Sequence, residues 1–191
     1  MSSSHPHRPF PILIGTQEIY RGRVVKLRVD EIEVKSGLNV RREVVGHGGA
    51  VVIVPIDGDG RVLWVKQHRW AAQRMMLELP AGTLEPEESP EATARRELVE
   101  ETGFAAATWR ALGGFFSAPG FCEEYLHCYL ATDLTPEHAD GDEDEDIEVV
   151  PLSFDESLAL VDRGEIEDAK SLAAILLYLR QPLRGGDLRE T

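Results

Sequence analysis

The chain has 191 residues, 42% of them hydrophobic, and carries 20 Lys and Arg against 34 Asp and Glu, a formal net charge of −14. That length suits one domain of ordinary size, or one with a small extension. The charge argues against a grip on nucleic acid or anionic lipid through a basic face, and no run reaches the roughly 18 apolar residues of a membrane span.

Residues 1–10 are rich in Ser, His and Pro. They lack the apolar core of a secretory signal and are expected to form a disordered tail. Residues 11–46 are expected to form an N-terminal β arm: Val24, Leu27, Val29, Ile32 and Val34 lie among charged residues in partly regular alternation. Ser36-Gly37-Leu38-Asn39 predicts a hairpin turn, and Arg41 to Val45 its return strand. Gly46, Gly48 and Gly49 mark a joint to the main domain, 47–181. Ala50 to Ile56 is a continuous apolar run, hence a buried strand. Asp57-Gly58-Asp59-Gly60 is a strong turn signal, so Arg61 to Gln67 is expected as the hairpin partner of that strand. Met75 to Leu79 reads as a third short strand, stopped by Pro80-Ala81-Gly82.

Ser89-Pro90 opens a helix, with Ser as N-cap and Pro at the first position, where its missing N–H costs nothing. Gly103 closes it. Strands follow around Trp109–Phe116, Tyr125–Ala131 and Ile147–Leu152. Helices are expected near Asp155–Arg163 and Glu167–Arg180, and residues 182–191 as a flexible tail. This mixture predicts an α+β or mixed-sheet fold rather than an alternating βαβ series. Cys122 and Cys128 form no CxxC and no disulfide framework, so a cytoplasmic location is expected.

The helix after Ser89 carries the chemistry. Glu97, Glu100 and Glu101 stand at i, i+3 and i+4 and share a face, and Glu88 sits just before the helix. A solvated acidic surface would have the same composition. Arg96 within the cluster, and Ala94 and Leu98 marking an adjacent buried face, favour a built site instead. Clustered hard oxygen ligands suit Mg²⁺, with Mn²⁺ as substitute, and such an ion would screen an anionic substrate on an acidic protein.

From Gly82 to Phe104 the residues read Gly, five residues, Glu88, seven residues, Arg96-Glu97-Leu98, Val99, Glu100-Glu101, Thr102, Gly103-Phe104. This resembles the Nudix box, GX5EX7REUXEEXGU with U a bulky apolar residue, and every defined position is filled. The resemblance implies a Nudix α/β/α sandwich over roughly 50–180 and metal-dependent attack of water on a P–O–P bridge. By that resemblance the metal ligands are Glu97, Glu101 and the carbonyl of Ala81, with Glu100 close by. Arg96 and Glu88 organise the box.

Outside the box, Pro119 lies sixteen residues after Gly103. Together with Arg41-Arg42-Glu43, Gln67-His68-Arg69 and the acidic run Asp142 to Asp146, it resembles the ADP-ribose pyrophosphatase subgroup of the Nudix family. That implies ADP-ribose or a related nucleoside diphosphate sugar as substrate. Arg41 and Arg42 would line the nucleotide side, and Arg69 would meet phosphate or adenine. Ala118, Pro119, Gly120 and Glu124 would border the terminal ribose. Glu143 fits the general base and Glu145 a further metal ligand, or the reverse. Gly46 stands where the subgroup often has a Glu contacting adenine. The resemblance further implies a homodimer built on the N-terminal strands. The alternatives are hydrolysis of other dinucleotides or oxidised nucleotides, and a non-catalytic sensor, which the complete set of box carboxylates disfavours.

Overall fold

The computed structural model describes residues 11–137 and 147–180. The expected tails and the acidic run with Glu143 and Glu145 lie outside those residues. The described chain separates into two compact units, residues 11–48 with 118–124, and residues 49–117 with the rest after Glu124.

The first unit is built on a three-stranded antiparallel sheet, β1 (Ile12–Arg21), β2 (Lys26–Glu33) and β3 (Asn39–Gly46), in that order. The turn at Ser36 to Asn39 closes with Gly37 N–H donating to Val34 O and Val34 N–H to Leu38 O. The segment 118–124 joins this unit: Val45 N–H donates to Phe121 O, and Glu123 N–H to Val45 O.

The second unit is organised around β4 (Ala50–Pro55), buried at every position. β4 lies inside a four-stranded sheet of order β7-β4-β9-β8, where β7 is Ala81–Thr83, β8 Phe104–Phe116 and β9 Tyr125–Pro136. It runs parallel to β9 and antiparallel to β7. Alternation splits its side chains between two cores. Val51 and Ile53 pack with Ala94 and Leu98 of α1 (Pro90–Thr102). Val52 and Val54 pack with Ala174 and Ile175 of α3 (Ala169–Leu179). A helix therefore covers each face, which explains why β4 reads as an unbroken apolar run. The architecture is the mixed-sheet α/β/α sandwich expected.

A second sheet holds β5 (Val62–Arg69) between β10 (Glu148–Leu152) and β6 (Arg74–Glu78), both antiparallel to it. The expected β4–β5 hairpin does not form. Both edges of β4 are taken by β7 and β9, so only the bridge Ile56–Val62 joins the two strands at the Asp57–Gly60 turn. β5 is held instead by α2 (Phe154–Asp162): the buried Trp64 donates its Nε1–H to Ser157 Oγ at 2.9 Å. No described helix is long and apolar enough to cross a membrane.

Candidate active site

Three local devices fix α1. Ser89 is the N-cap, its Oγ accepting from Ala92 N–H at 3.2 Å, and Pro90 occupies the first turn. At the other end Gly103 takes the left-handed conformation (φ +73°) and donates its N–H to Val99 O, a conformation glycine adopts without a Cβ clash. Between them Ala94, Leu98 and Glu101 form one buried stripe at spacings of four and three. Glu101 therefore continues the helix's core-facing row and is only 7% exposed. Glu97 and Glu100 lie on its flank.

Arg96 gathers the remaining carboxylates. Its Nη1 donates to Glu97 Oε1 and Glu100 Oε2 at 2.8 Å each, and its Nε and Nη2 donate to the two Glu88 oxygens at 3.2 and 3.1 Å. Burial works against the Arg96 charge, but hydrogen bonds to Glu88, Glu100 and Glu97 and the Glu97 charge outweigh it and raise its pKa. Glu88, bonded by Arg96 and by Thr93 Oγ1–H, is held below the usual glutamate range. One guanidinium thus holds three carboxylates close together, where they would otherwise repel.

The other wall is β7. Ala81 N–H donates to Glu101 Oε2 at 3.0 Å, which sets the Ala81 peptide against the buried carboxylate. Gly82 lies so close to Glu97 that an added Cβ would fall 1.8 Å from its carboxyl carbon and 1.9 Å from Oε1. β7 is pinned by pairing with Ala50 to Val52 and by Ile53 N–H donating to Pro80 O. Pro80-Ala81-Gly82 predicts only the stop of a strand, whereas Ala81 begins a new one.

Residues 46–175 match the NUDIX domain. The chain belongs to the Nudix family. It is 39% identical to the ADP-ribose pyrophosphatase of Bacillus subtilis (strain 168) over 174 residues, covering 90% of this chain and 94% of that protein. It is 40% identical to the methanol dehydrogenase activator of Bacillus methanolicus, with the same coverage. Among solved structures, an ADP compounds hydrolase superposes with a TM-score of 0.79 at 25% identity, covering 88% of this chain and 92% of the other.

The donor set suits the divalent ion of Nudix chemistry. Glu97 and Glu101 offer carboxylate oxygens, the Ala81 main chain lies beside Glu101, and Gly82, having no Cβ, lets the Glu97 carboxylate lie against the β7 main chain. Among the described residues no three His, Cys, Asp or Glu side chains form a ready-made cage. Mg²⁺ does not demand one, because it keeps several waters and uses one or two carboxylates together with substrate phosphates.

The remaining expected residues fall into two groups. Arg41 and Arg42 are exposed on β3, with Arg42 Nη1 donating to Arg41 O, and Ala118, Pro119, Gly120 and Glu124 belong to the same first unit. There Ala118 O accepts from the N–H groups of Phe121 and Cys122, and Glu124 lies 3.8 Å from His47 Nδ1. Gly46 is buried against Glu123, whose carboxylate accepts two bonds from Arg28 at 3.0 and 2.6 Å; a Cβ at Gly46 would come within 3.3 Å of it. Arg69 belongs to the second unit, where it is bonded to Glu78, a buried acid the sequence reading passed over. The available signal was an acid standing alone in the apolar run Met75 to Leu79.

Proposed function

We propose that this Nudix chain hydrolyses the pyrophosphate bond of ADP-ribose or a related nucleoside diphosphate sugar, giving a nucleoside monophosphate and a sugar phosphate. It is a Nudix pyrophosphohydrolase in class. The observation that carries the reading is the junction of β7 with α1, where the Ala81 amide meets the buried Glu101 and Gly82 makes room for Glu97. The ADP-ribose pyrophosphatase similarity, which extends over nearly the whole chain, supports the substrate class.

In this reading Glu97, Glu101 and the Ala81 carbonyl would hold Mg²⁺, for which Mn²⁺ would substitute. When bound, such an ion would supply charge to offset the phosphates and would lower the pKa of water. Arg96 and Glu88 keep Glu97 and Glu100 in place. Glu143 takes the proton from the water, with Glu145 as a further ligand or, in the reverse assignment, as the base; the helix acids are poorer bases because their lone pairs are engaged. Arg69 contacts phosphate or adenine. Arg41 and Arg42 line the nucleotide, and Ala118, Pro119, Gly120 and Glu124 border the terminal ribose. The proposal includes a homodimer formed through β1–β3, since that sheet leaves Leu13, Ile14, Ile19 and Tyr20 about half or more exposed, and a cytoplasmic location, consistent with two free cysteines.

The test is a panel of ADP-ribose, nucleoside diphosphate sugars, dinucleotides and oxidised nucleotides, with products identified by mass, in Mg²⁺ and in excess chelator. The expected result is Mg²⁺-dependent release of AMP and ribose phosphate from ADP-ribose as the best substrate. Full turnover in chelator would overturn the metal assignment. Preference for a dinucleotide or an oxidised nucleotide would overturn the substrate class.

A further inference from the structure

A chain of alternating charges runs from the end of β5 to the start of α3, all within the second unit. Arg69 meets Glu78 edge-on: Nε lies 3.1 Å from both carboxylate oxygens and Nη2 lies 2.7 Å from Oε2. Glu78 is 2% exposed. Its Oε2 also accepts from Lys170 Nζ at 2.6 Å, and Lys170 bonds Asp168 at 2.9 Å. Asp168 is the N-cap of α3 and accepts from both the N–H and the hydroxyl of Ser171. Ser171 Oγ in turn accepts Leu79 N–H at 2.7 Å, one residue beyond Glu78. The strand end that leads into Pro80 and Ala81 is thus tied to a helix cap 92 residues away in sequence.

A guanidinium is a planar fork, and engaging Nε and Nη2 fixes its whole plane. The opposite edge, Nη1, is not used by Glu78, and the Arg69 side chain remains 40% exposed. We propose that Glu78 is a positioning residue for the substrate arginine: it locks the Arg69 plane so that Nη1 meets a diphosphate oxygen, and Lys170 holds Glu78 in register. With Asp168 the cluster holds two cations and two carboxylates and is neutral as a whole, so Arg69 would attract an anion through the local charge of its outward edge rather than through a net charge. This deepens the proposed function and rests on it for the identity of the ligand.

A double-mutant cycle tests it. Wild type, Glu78→Gln, Arg69→Gln and the double variant are compared for kcat and KM on ADP-ribose. The Arg69 Nε–H resonance is followed by ¹⁵N NMR in the wild type and in Glu78→Gln. Glu78→Gln is expected to raise KM about tenfold or more, as loss of one partner of a buried charge pair does, with kcat within about threefold, and to broaden the Arg69 resonance. In the Arg69→Gln background the same change should cost less than about twofold, because the two residues act as one unit. Equal losses in both backgrounds would overturn the proposal, as would an unchanged KM with the Arg69 signal lost. If wild type does not turn over ADP-ribose, the substrate reading fails by itself, and the cycle is read on calorimetric binding of ADP, with the same outcomes. If Glu78→Gln does not fold, Glu78→Asp replaces it in the cycle, keeping the charge but withdrawing the carboxylate from Arg69; its KM should rise by an intermediate amount, and an unchanged KM would overturn the proposal.

Discussion

Strands β1 and β4 both carry apolar residues, and the structure uses them in opposite ways. β4 is buried at all six positions, between helices on both faces and strands on both edges. β1 is exposed at nine of ten, and Leu13, Ile14 and Ile19 stand 60%, 49% and 50% exposed. Apolar content alone therefore does not make a core; a strand needs an element on each face it hides. Uncovered apolar side chains gain by burial against a second surface, and β1 presents such side chains.

The largest expected effect tests whether chemistry resides in the buried unit. Glu101→Gln should lower kcat by on the order of 10³ or more, because it removes charge where a metal ligand is needed. A loss of tenfold or less in steady-state assays would place the ligands elsewhere. The contrast between the strands is tested by truncation. Ile53→Ala should cost about 2–5 kcal/mol in urea unfolding, the range for deleting buried methylenes. Ile19→Ala should change the stability of the isolated subunit by no more than about 0.5 kcal/mol. If β1–β3 is the dimer surface, wild type sediments as a dimer at micromolar concentration and Leu13→Lys with Ile19→Lys as a monomer. A wild-type monomer would remove the assembly from the proposal.

Gly82→Ala sharpens the contrast between a site and a core. The Cβ would meet the end of the Glu97 side chain rather than backbone, so the fold can accommodate it while the carboxylate moves. The expectation is a kcat loss of about 10², as for a misplacement of about 1 Å, with a melting temperature near that of wild type. A large drop in melting temperature would mean that the clash is relieved by the sheet instead.

The smallest effect is on pH. Glu88 is held below its ordinary pKa by Arg96 and Thr93, so its contribution is present above the unfolded glutamate value and fades as pH falls through the lower folded one. Glu88→Gln should therefore flatten the loss of melting temperature between neutral and acid pH, by an equivalent of about 1 kcal/mol for a part-buried pair that solvent still screens. Parallel curves would show that the pair contributes nothing.

Much of this arrangement is legible in the residues because its causes are local. Ser89-Pro90 and Gly103 bound α1 through capping, which depends on neighbours a few positions away. The acid spacing follows from helical periodicity. The β4–β5 pairing is not legible because a turn signal reports a reversal of the chain, not which strand wins the edge. Glu78 is hidden for the same reason: its cations come from β5 and from a helix 92 residues further on, and no short-range pattern joins them. The resemblance assigns Arg69 to phosphate or adenine and carries no sign of the Glu78 carboxylate that holds its other edge.

One feature of β7 bears on time rather than geometry. Because Ile53 N–H donates to Pro80 O, and Val51 and Val52 stand opposite Gly82 and Ala81, the Ala81 peptide cannot swing away without detaching the edge strand β7 from β4. Backbone amides in such pairings exchange with solvent only through openings. The Ile53 amide then becomes a clock for the site, exchanging when the edge strand β7 lifts from β4. Its exchange rate reports how often the main-chain part of this site comes apart.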